Sequence, residues 1–307
     1  MPTFPGSYIR SNLVLSRKQV EQIDEELRSQ WRLFCPGSND PRASAVFAKI
    51  TDAAQERLLV YYQKRSAVGM SEMEDILFYD ELSKPPFDTW ICQSRRSFIL
   101  DTIVAADTYI TIFKPKTVLD IGTGFGFGAG VLARRHPTVN FTGIDRSGAS
   151  IHFARDKSKR LKNLSYIQSD LLKFNDHGSY DLAITLAGIP VKANLIGDLI
   201  SSTARLLNSK GVLLGYTTLG LASRRDKIDN CLGLVYKSVV GGFEQFDDAG
   251  KVTWQSAPFE VFQRGEADNP AYSNYDHNAE DWPLFANYVN KNIEDFDRQT
   301  FSYYRTV

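Results

Sequence analysis

The chain has 307 residues, of which 43% are hydrophobic and 23% charged, and its 36 Lys and Arg balance 36 Asp and Glu. No apolar run approaches the roughly 18 residues that a membrane-spanning helix needs, and zero net charge argues against a general nucleic-acid binder. The three cysteines, Cys35, Cys92 and Cys231, are far apart and odd in number. We therefore expect neither a disulfide framework nor a metal site, but a cytoplasmic protein with a small-molecule partner.

The first third of the chain predicts helices separated by breakers, which we group as a helical N-terminal segment, residues 1–112, expected to cover an acceptor. Ser16 and Gln19 have the spacing of a capping box before a first helix. Asp40 before Pro41 predicts the N-cap of a second helix, whose apolar spacing continues to Tyr61. Further helical patterns lie at 71–82, which opens with a second capping box formed by Ser71 and Glu74, and at 89–113.

From residue 113 onward, short apolar runs alternate with helical patterns. Strands are predicted at 117–121, 139–145, 164–168, 180–186 and 211–217, with helices at 126–136, 148–161 and 190–207. Two more strands are predicted at 242–246 and 258–263. Such alternation predicts an α/β fold whose mostly parallel sheet carries helices on both faces. This core spans 113–265, and an aromatic-rich C-terminal extension, 266–307, is expected to act as a lid.

A glycine-rich loop follows the first predicted strand. Gly122, Gly124 and Gly126 permit positive φ angles and leave no Cβ in the way of a ligand, while the next helix directs its free N–H groups toward it. Asp145 ends the second strand about 20 residues later, the spacing of an acid that binds ribose hydroxyls. The pattern therefore predicts a nucleoside site at the carboxyl ends of the strands.

The acid that precedes the first glycine points to a particular family. Asp120-Ile-Gly-Thr-Gly-Phe-Gly126 resembles the first motif of class I S-adenosylmethionine-dependent methyltransferases at every defined position. Residues 141–145, 169–171 and 180–184 are similar to the next three motifs of that family. The resemblance covers about residues 110–265 and implies a Rossmann-like sheet of seven strands, with S-adenosylmethionine as the cofactor.

The resemblance also implies roles for single residues. The glycines would admit the methionine portion near Asp120, Asp145 would accept the ribose hydroxyls, and Asp170 would accept from the adenine amino group. The cofactor-binding residues expected in this way are Asp120, Gly122, Thr123, Gly124, Gly126, Asp145, Arg146, Asp170, Leu171, Leu186 and Ala187. For Asp170 the alternative is a cap on the next turn, and for the basic run 155–162 the alternatives are a solvated helix face and a nucleic-acid patch.

The expected reaction is methyl transfer to a small metabolite or natural product. No motif of a particular acceptor class follows the fourth strand, and His277, among aromatic residues of the C-terminal extension, is the candidate acid or base. Two alternatives use the same cofactor: aminocarboxypropyl transfer of the nicotianamine and opine-metallophore type, and a non-catalytic binding module. A third alternative is a nicotinamide-dependent oxidoreductase. A homodimer is also left open.

Overall fold

The computed structural model describes residues 17–34, 40–48, 96–185, 196–216, 234–240, 244–246, 252–255 and 259–264, together with the single residues 52, 56, 77, 80, 81 and 84. They fall into two compact units, one within residues 16–174 and the other within residues 175–307. Among the described residues, no helix is both long and apolar enough to cross a lipid bilayer.

The first unit combines helices with a parallel sheet. Its helices with described bounds are α1 (Arg17–Ser29), α2 (Pro41–Phe47), α3 (Arg96–Phe113), α4 (Phe127–Arg135) and α5 (Gly148–Ser158). Its strands are β1 (Thr117–Ile121), β2 (Asn140–Asp145) and β3 (Leu164–Gln168). The strand order is β3-β2-β1 and both pairings are parallel. The predicted α/β alternation is therefore confirmed for this unit.

The register of this sheet brings two acids to neighbouring positions. Asp120 of β1 pairs with Gly143 of β2, and Ile121 pairs with Ile144, so Asp145 follows directly. Four of the five β1 residues are buried, as expected for a central parallel strand covered on both faces. Because parallel strands end at the same edge, the loop after β1 and the acid that ends β2 lie side by side.

A buried acid joins three helices of this unit. The carboxylate of Asp107 on α3 is 2% exposed and accepts hydrogen bonds from the guanidinium of Arg135, at 2.7 and 3.1 Å. His136 Nε2 lies 2.8 Å from Asp107 Oδ1, and the Gln19 amide of α1 donates to Oδ2 at 2.6 Å. Burial opposes ionisation of Asp107, but the bonds from His136 and Arg135 hold its pKa below the usual range. The charged form is therefore the native one, and it holds α1, α3 and α4 together.

Aromatic packing fixes α1 against α4. The Trp31 indole, just after α1, covers Gly130 so closely that a Cβ there would lie 2.3 Å from its Cζ2. The indole also meets the Phe127 ring edge-on, with centroids 5.1 Å apart. Glycine at 130 thus permits the approach of the two helices, and the N-terminal residues become part of the core around the glycine loop.

The second unit carries the remaining strands. They are β4 (Tyr180–Thr185), β5 (Leu207–Tyr216), β6 (Leu234–Val240), β7 (Glu244–Phe246), β8 (Val252–Gln255) and β9 (Phe259–Arg264), with helix α6 (Ile196–Leu206). β4 and β5 are parallel, β9 is antiparallel to β5 and to β6, and β7 and β8 form an antiparallel pair. The five strands predicted up to residue 217 are therefore all present.

The structure differs from the sequence expectations in three elements. Helix α2 ends at Phe47 with Ala48 as its C-cap, whereas the apolar spacing predicted one helix to Tyr61. Asp40 does cap α2, accepting from the backbone N–H of Arg42 at 3.0 Å. Strands β6 and β8 lie where the sequence predicts no strand; β6 pairs with β9, and β8 forms a short hairpin with β7. Asp52 and Glu56 are helical, and the capping residues Ser16, Ser71 and Glu74 lie outside the described residues.

Candidate functional site

The loop between β1 and α4 turns on three left-handed glycines. Gly122, Gly124 and Gly126 have φ angles of 70°, 52° and 76°. The backbone N–H groups of Gly122 and Thr123 both donate to the carbonyl of Ile144 on β2, at 2.9 and 3.0 Å. These bonds attach the loop to the neighbouring strand, and the positive φ angles explain why glycine is needed at each turn.

The space around these glycines differs, and the difference separates their roles. A Cβ on Gly124 would meet nothing within 4 Å. A Cβ on Gly126 would lie 2.4 Å from the Tyr166 hydroxyl and 2.8 Å from Cβ of Ala154. The sequence interpretation gave the same two reasons for all three glycines, positive φ angles and room for a ligand. The structure assigns open space to Gly124, whereas the space at Gly126 is filled by the protein itself.

Tyr166 of β3 packs against the glycine loop. The sequence analysis did not predict this contact. Its ring passes under β2 at Gly143, where a Cβ would lie 2.7 Å from Cδ1 of the ring. Its hydroxyl donates to the carbonyl of Gly126 at 3.0 Å and lies 3.3 Å from Oγ of Ser158. Burial raises the pKa of Tyr166, so the hydroxyl remains a donor. The available signal was a single inward-facing aromatic on β3 opposite a glycine on β2.

Asp120 is a buried acid at the carboxyl end of β1. Its Oδ2 accepts from the Thr123 hydroxyl at 2.7 Å, and this bond opposes the effect of burial on the pKa of the carboxyl. Oδ1 is buried and has no hydrogen-bond partner among the residues that the structure describes. Burial raises the pKa of Asp120 to about 7, and the nearby Asp145 charge adds to that increase. A buried carboxylate oxygen of this kind favours a cationic partner.

Asp145 is held at the end of β2 by backbone amides. Oδ2 accepts from the Gly124 N–H and Oδ1 from the Ser147 N–H, each at 2.9 Å. Burial raises the pKa of Asp145, and the bonds from Ser147 and Gly124 oppose that increase. The two amides orient the carboxylate, and each oxygen keeps a lone pair that can accept a ligand hydroxyl.

The other predicted residues fall into distinct surroundings. Thr123 donates to Asp120, so it orients the acid, and the backbone carbonyl of Arg146 accepts from the Gln168 amide at 3.2 Å. Oδ1 of Asp170 accepts from the Leu172 N–H at 2.9 Å, which is the capping contact considered as its alternative role. Leu171 is buried, with 8% of its surface exposed. The adenine role of Asp170 and Leu171 stays a prediction.

Three predicted residues, Leu186, Ala187 and His277, lie outside the described residues. Of the other histidines, His152 is exposed on α5 and His136 contacts Asp107. The basic run on α5 makes local contacts: Arg155 donates to the carbonyl of Tyr166 at 2.7 and 3.1 Å, and Lys157 Nζ lies 5.5 Å from the centre of the Phe153 ring.

The loop, Asp120 and Asp145 together form a site with a defined charge. The buried carboxyl of Asp120 and the half-buried carboxyl of Asp145 lie at the ends of adjacent strands, next to a loop that is open at Gly124. An anionic pyrophosphate would meet repulsion from both acids, whereas a cationic ligand with vicinal hydroxyls would find an acceptor for each group.

Comparison with known proteins agrees with this geometry. The model of a methyltransferase domain family matches residues 118–211, which includes the glycine loop and both acids. The malonyl-[acyl-carrier protein] O-methyltransferase of Legionella pneumophila is 31% identical over 107 residues, which are 34% of this chain and 37% of that protein. The fatty-acid O-methyltransferase of Mycolicibacterium smegmatis is 31% identical over 124 residues, 38% of this chain and 43% of that protein. The chain thus spans less than half the length of these curated relatives.

Among solved structures, magnesium protoporphyrin IX methyltransferase from Synechocystis PCC 6803, crystallised with bound S-adenosylmethionine, aligns with 64% of this chain and 99% of its own. The sequence identity is 17% and the TM-score 0.47. The family match covers the loop and both acids described above. Residues 118–211 of the chain therefore resemble a methyltransferase domain.

Proposed function

We propose that this protein binds S-adenosylmethionine and transfers its methyl group to an oxygen of a small acidic metabolite. The observation that carries the cofactor assignment is the buried Oδ1 of Asp120 beside a glycine loop that is open at Gly124. A buried acceptor without a partner among the described residues fits the ammonium of the cofactor's methionine portion, and Asp145 fits its ribose.

The residues of the chain bind and orient the donor in this scheme. When bound, S-adenosylmethionine supplies a methyl group already activated by the sulfonium charge. Asp120 would hold the ammonium, Asp145 would accept from the ribose hydroxyls, and the N–H of Gly124 would keep Asp145 in place. Since the donor is activated, alignment of the acceptor and exclusion of water are the main tasks left to the protein.

The acceptor class rests on the two curated relatives, both O-methyltransferases, whose named substrates are malonyl-[acyl-carrier protein] and fatty acids. A small carboxylic acid would present an oxygen nucleophile that is ionised at neutral pH, so no strong base would be needed.

In this proposal the N-terminal segment, residues 1–112, and the C-terminal lid, residues 266–307, cover the acceptor. The proposal also includes one sheet of seven strands. A homodimer, a cytoplasmic location and the absence of a nucleic-acid partner also stay predictions.

The by-product tests the proposed reaction. Incubation with S-adenosylmethionine and a panel of short and long carboxylic acids should yield S-adenosylhomocysteine and a methyl ester, both measured by mass spectrometry. Formation of methylthioadenosine would instead show aminocarboxypropyl transfer. Binding without either product across acids, amines and phenols would favour a binding module and contradict the enzymatic proposal.

Replacement of Asp145 tests the ribose role. S-adenosylhomocysteine at a hundred times its Kd should stabilise the native protein by about 2.7 kcal/mol, which raises Tm by roughly 5–10 °C. Asp145→Ala should reduce that increase to near zero, because the ribose hydroxyls and the Gly124 and Ser147 amides lose their shared acceptor. Differential scanning fluorimetry measures the shift.

The matched control for this variant is Asp156→Ala. Asp156 is an exposed acid on α5, and its carboxylate lies 3.2 Å from the surface ammonium of Lys159. This variant should keep the full increase in Tm. An unchanged ligand response in Asp145→Ala would remove Asp145 from the binding site, and a response to NAD in place of S-adenosylhomocysteine would overturn the cofactor assignment.

A further inference from the structure

One residue of the N-terminal segment reaches the predicted ribose side of the site. Asp80 is helical and half-buried, and its Oδ1 accepts a hydrogen bond from the Ser147 hydroxyl at 2.6 Å. Ser147 lies just after β2, is 2% exposed and is 67 residues away in sequence. This contact places an acid from outside the matched methyltransferase segment against the strand end that carries Asp145.

The hydrogen bonds of Ser147 have a fixed direction. Its Oγ accepts the N–H of Ser150 at 3.1 Å, as the N-cap of α5, so the one hydroxyl proton is free to go to Asp80. Its backbone N–H donates to Oδ1 of Asp145 at 2.9 Å. A continuous chain of hydrogen bonds therefore runs from Asp80 through Ser147 to Asp145.

The contacts at the two ends of this series of hydrogen bonds, at Asp80 and at Asp145, affect each other. A ligand that binds to Asp145 stabilises the position of its carboxylate, and therefore the position of the Ser147 amide that donates to it. The Ser147 hydroxyl is then held in the geometry in which it donates to Asp80. Loss of the Asp80 contact leaves the hydroxyl proton of a buried serine without this acceptor and frees the loop after β2 to move. Thermodynamic linkage then requires that ligand binding and the Asp80 contact strengthen each other equally.

We infer that Asp80 is a positioning residue of the donor site, which couples the N-terminal segment to cofactor binding through Ser147. This inference rests on the proposed function, since the ligand is taken to bond Asp145. It gives the N-terminal segment a part in donor binding in addition to any contact with the acceptor.

Two variants break the contact from opposite sides. Asp80→Ala should weaken binding of S-adenosylhomocysteine about fivefold to tenfold in isothermal titration of the full chain. Ser147→Gly should weaken it by a similar factor, because glycine is tolerated as an N-cap and keeps the N–H that Asp145 accepts. The double variant should bind no more weakly than either single one, since both remove the same bond.

Two further variants serve as controls. Asp80→Asn retains an acceptor oxygen and should bind within about twofold of the wild type. Glu81→Ala alters the adjacent acid, which pairs with Lys84 at the surface, and should bind like the wild type. Hydrogen exchange around residue 80 should slow on addition of S-adenosylhomocysteine in the wild type and in Glu81→Ala, and this slowing should be lost in Asp80→Ala.

The outcomes separate this inference from the proposed function. No binding of S-adenosylhomocysteine by the wild type overturns the proposed function and the inference with it. Equal binding by wild type, Asp80→Ala and Ser147→Gly overturns only the inference, as does a double variant whose losses add. If Asp80→Ala does not fold, the affinity of Ser147→Gly and its hydrogen exchange around residue 80 decide the question.

Discussion

Alanine at Gly126 should mainly reduce the stability of the fold, whereas alanine at Gly124 should mainly weaken ligand binding. Gly126→Ala should lower the free energy of unfolding by about 2–5 kcal/mol, because overpacking costs about 1–3 kcal/mol and a left-handed non-glycine residue about 1–2 kcal/mol more. The new methyl would lie 2.4 Å from the Tyr166 hydroxyl and 2.8 Å from Cβ of Ala154, with φ at +76°. Urea unfolding monitored by circular dichroism measures the loss.

Gly124→Ala is the matched variant. Its φ of +52° carries the same kind of backbone strain, but its Cβ would meet nothing within 4 Å. We expect a loss of only about 1 kcal/mol in stability. Binding of S-adenosylhomocysteine should nevertheless fall at least about tenfold, because the methyl enters the space through which the ligand meets the loop. Equal destabilisation by both variants, or unimpaired binding by Gly124→Ala, would contradict this division of roles.

Tyr166→Phe identifies the source of the clash. This change removes the hydroxyl at 2.4 Å but keeps Cζ at 2.8 Å, so Tyr166→Phe in the Gly126→Ala background should restore part of the lost stability. In the wild-type background the same change should cost about 1 kcal/mol, for the bond to the Gly126 carbonyl. Tyr166→Phe should therefore stabilise the protein when residue 126 is alanine and destabilise it when residue 126 is glycine.

The pH dependence of stability should change with a single substitution at Asp120. The folded-state pKa is raised to about 7 from 3.8, so between these values the native protein holds a proton that the unfolded chain has released. Stability therefore falls as pH rises from about 4 to 7 and levels off above. One pKa unit corresponds to about 1.4 kcal/mol, so the contribution approaches about 4 kcal/mol. Asp120→Asn, which is neutral throughout, should lack it.

Ligand binding should show the reverse dependence. The cationic end of S-adenosylhomocysteine near Oδ1 of Asp120 would favour the carboxylate, so affinity should rise as pH increases from about 5 to 7, with release of a proton. Isothermal titration in buffers of different ionisation enthalpy counts that proton. Asp120→Asn should be more stable than the wild type at about pH 8 yet bind more weakly, with no proton release. A wild-type affinity that is flat with pH would contradict the ammonium role of Asp120.

Local sequence patterns were sufficient where the structure is local. The bounds of β1 and β3 agree with the predicted strands 117–121 and 164–168, because short apolar runs there end at glycine or at polar residues. The neighbouring positions of Asp120 and Asp145 also followed, since parallel strands end at one edge. These features depend only on the residues that lie close in sequence.

Long-range contacts could not be predicted in the same way. Tyr166 looks like an ordinary strand aromatic until β2 places Gly143 above its ring. Asp80 gives no signal at all, because its partner Ser147 is 67 residues away. The turn at Ala48 likewise ends a helix whose apolar spacing continues. In each case tertiary packing determines what the residue contacts, and a single sequence does not show which side chains come into contact.

The Asp107 cluster shows that the packed interior of this unit includes residues that precede the segment matched by the family model. The family match begins at residue 118, but Arg135 and His136 of the matched segment depend on Asp107, which also binds Gln19. A chain that starts at residue 113 would remove the carboxylate that Arg135 and His136 contact, and would uncover Gly130 where Trp31 now lies. Expression trials guided by homology alone would therefore cut through the core, and the shortest piece that keeps this interior intact begins before α1.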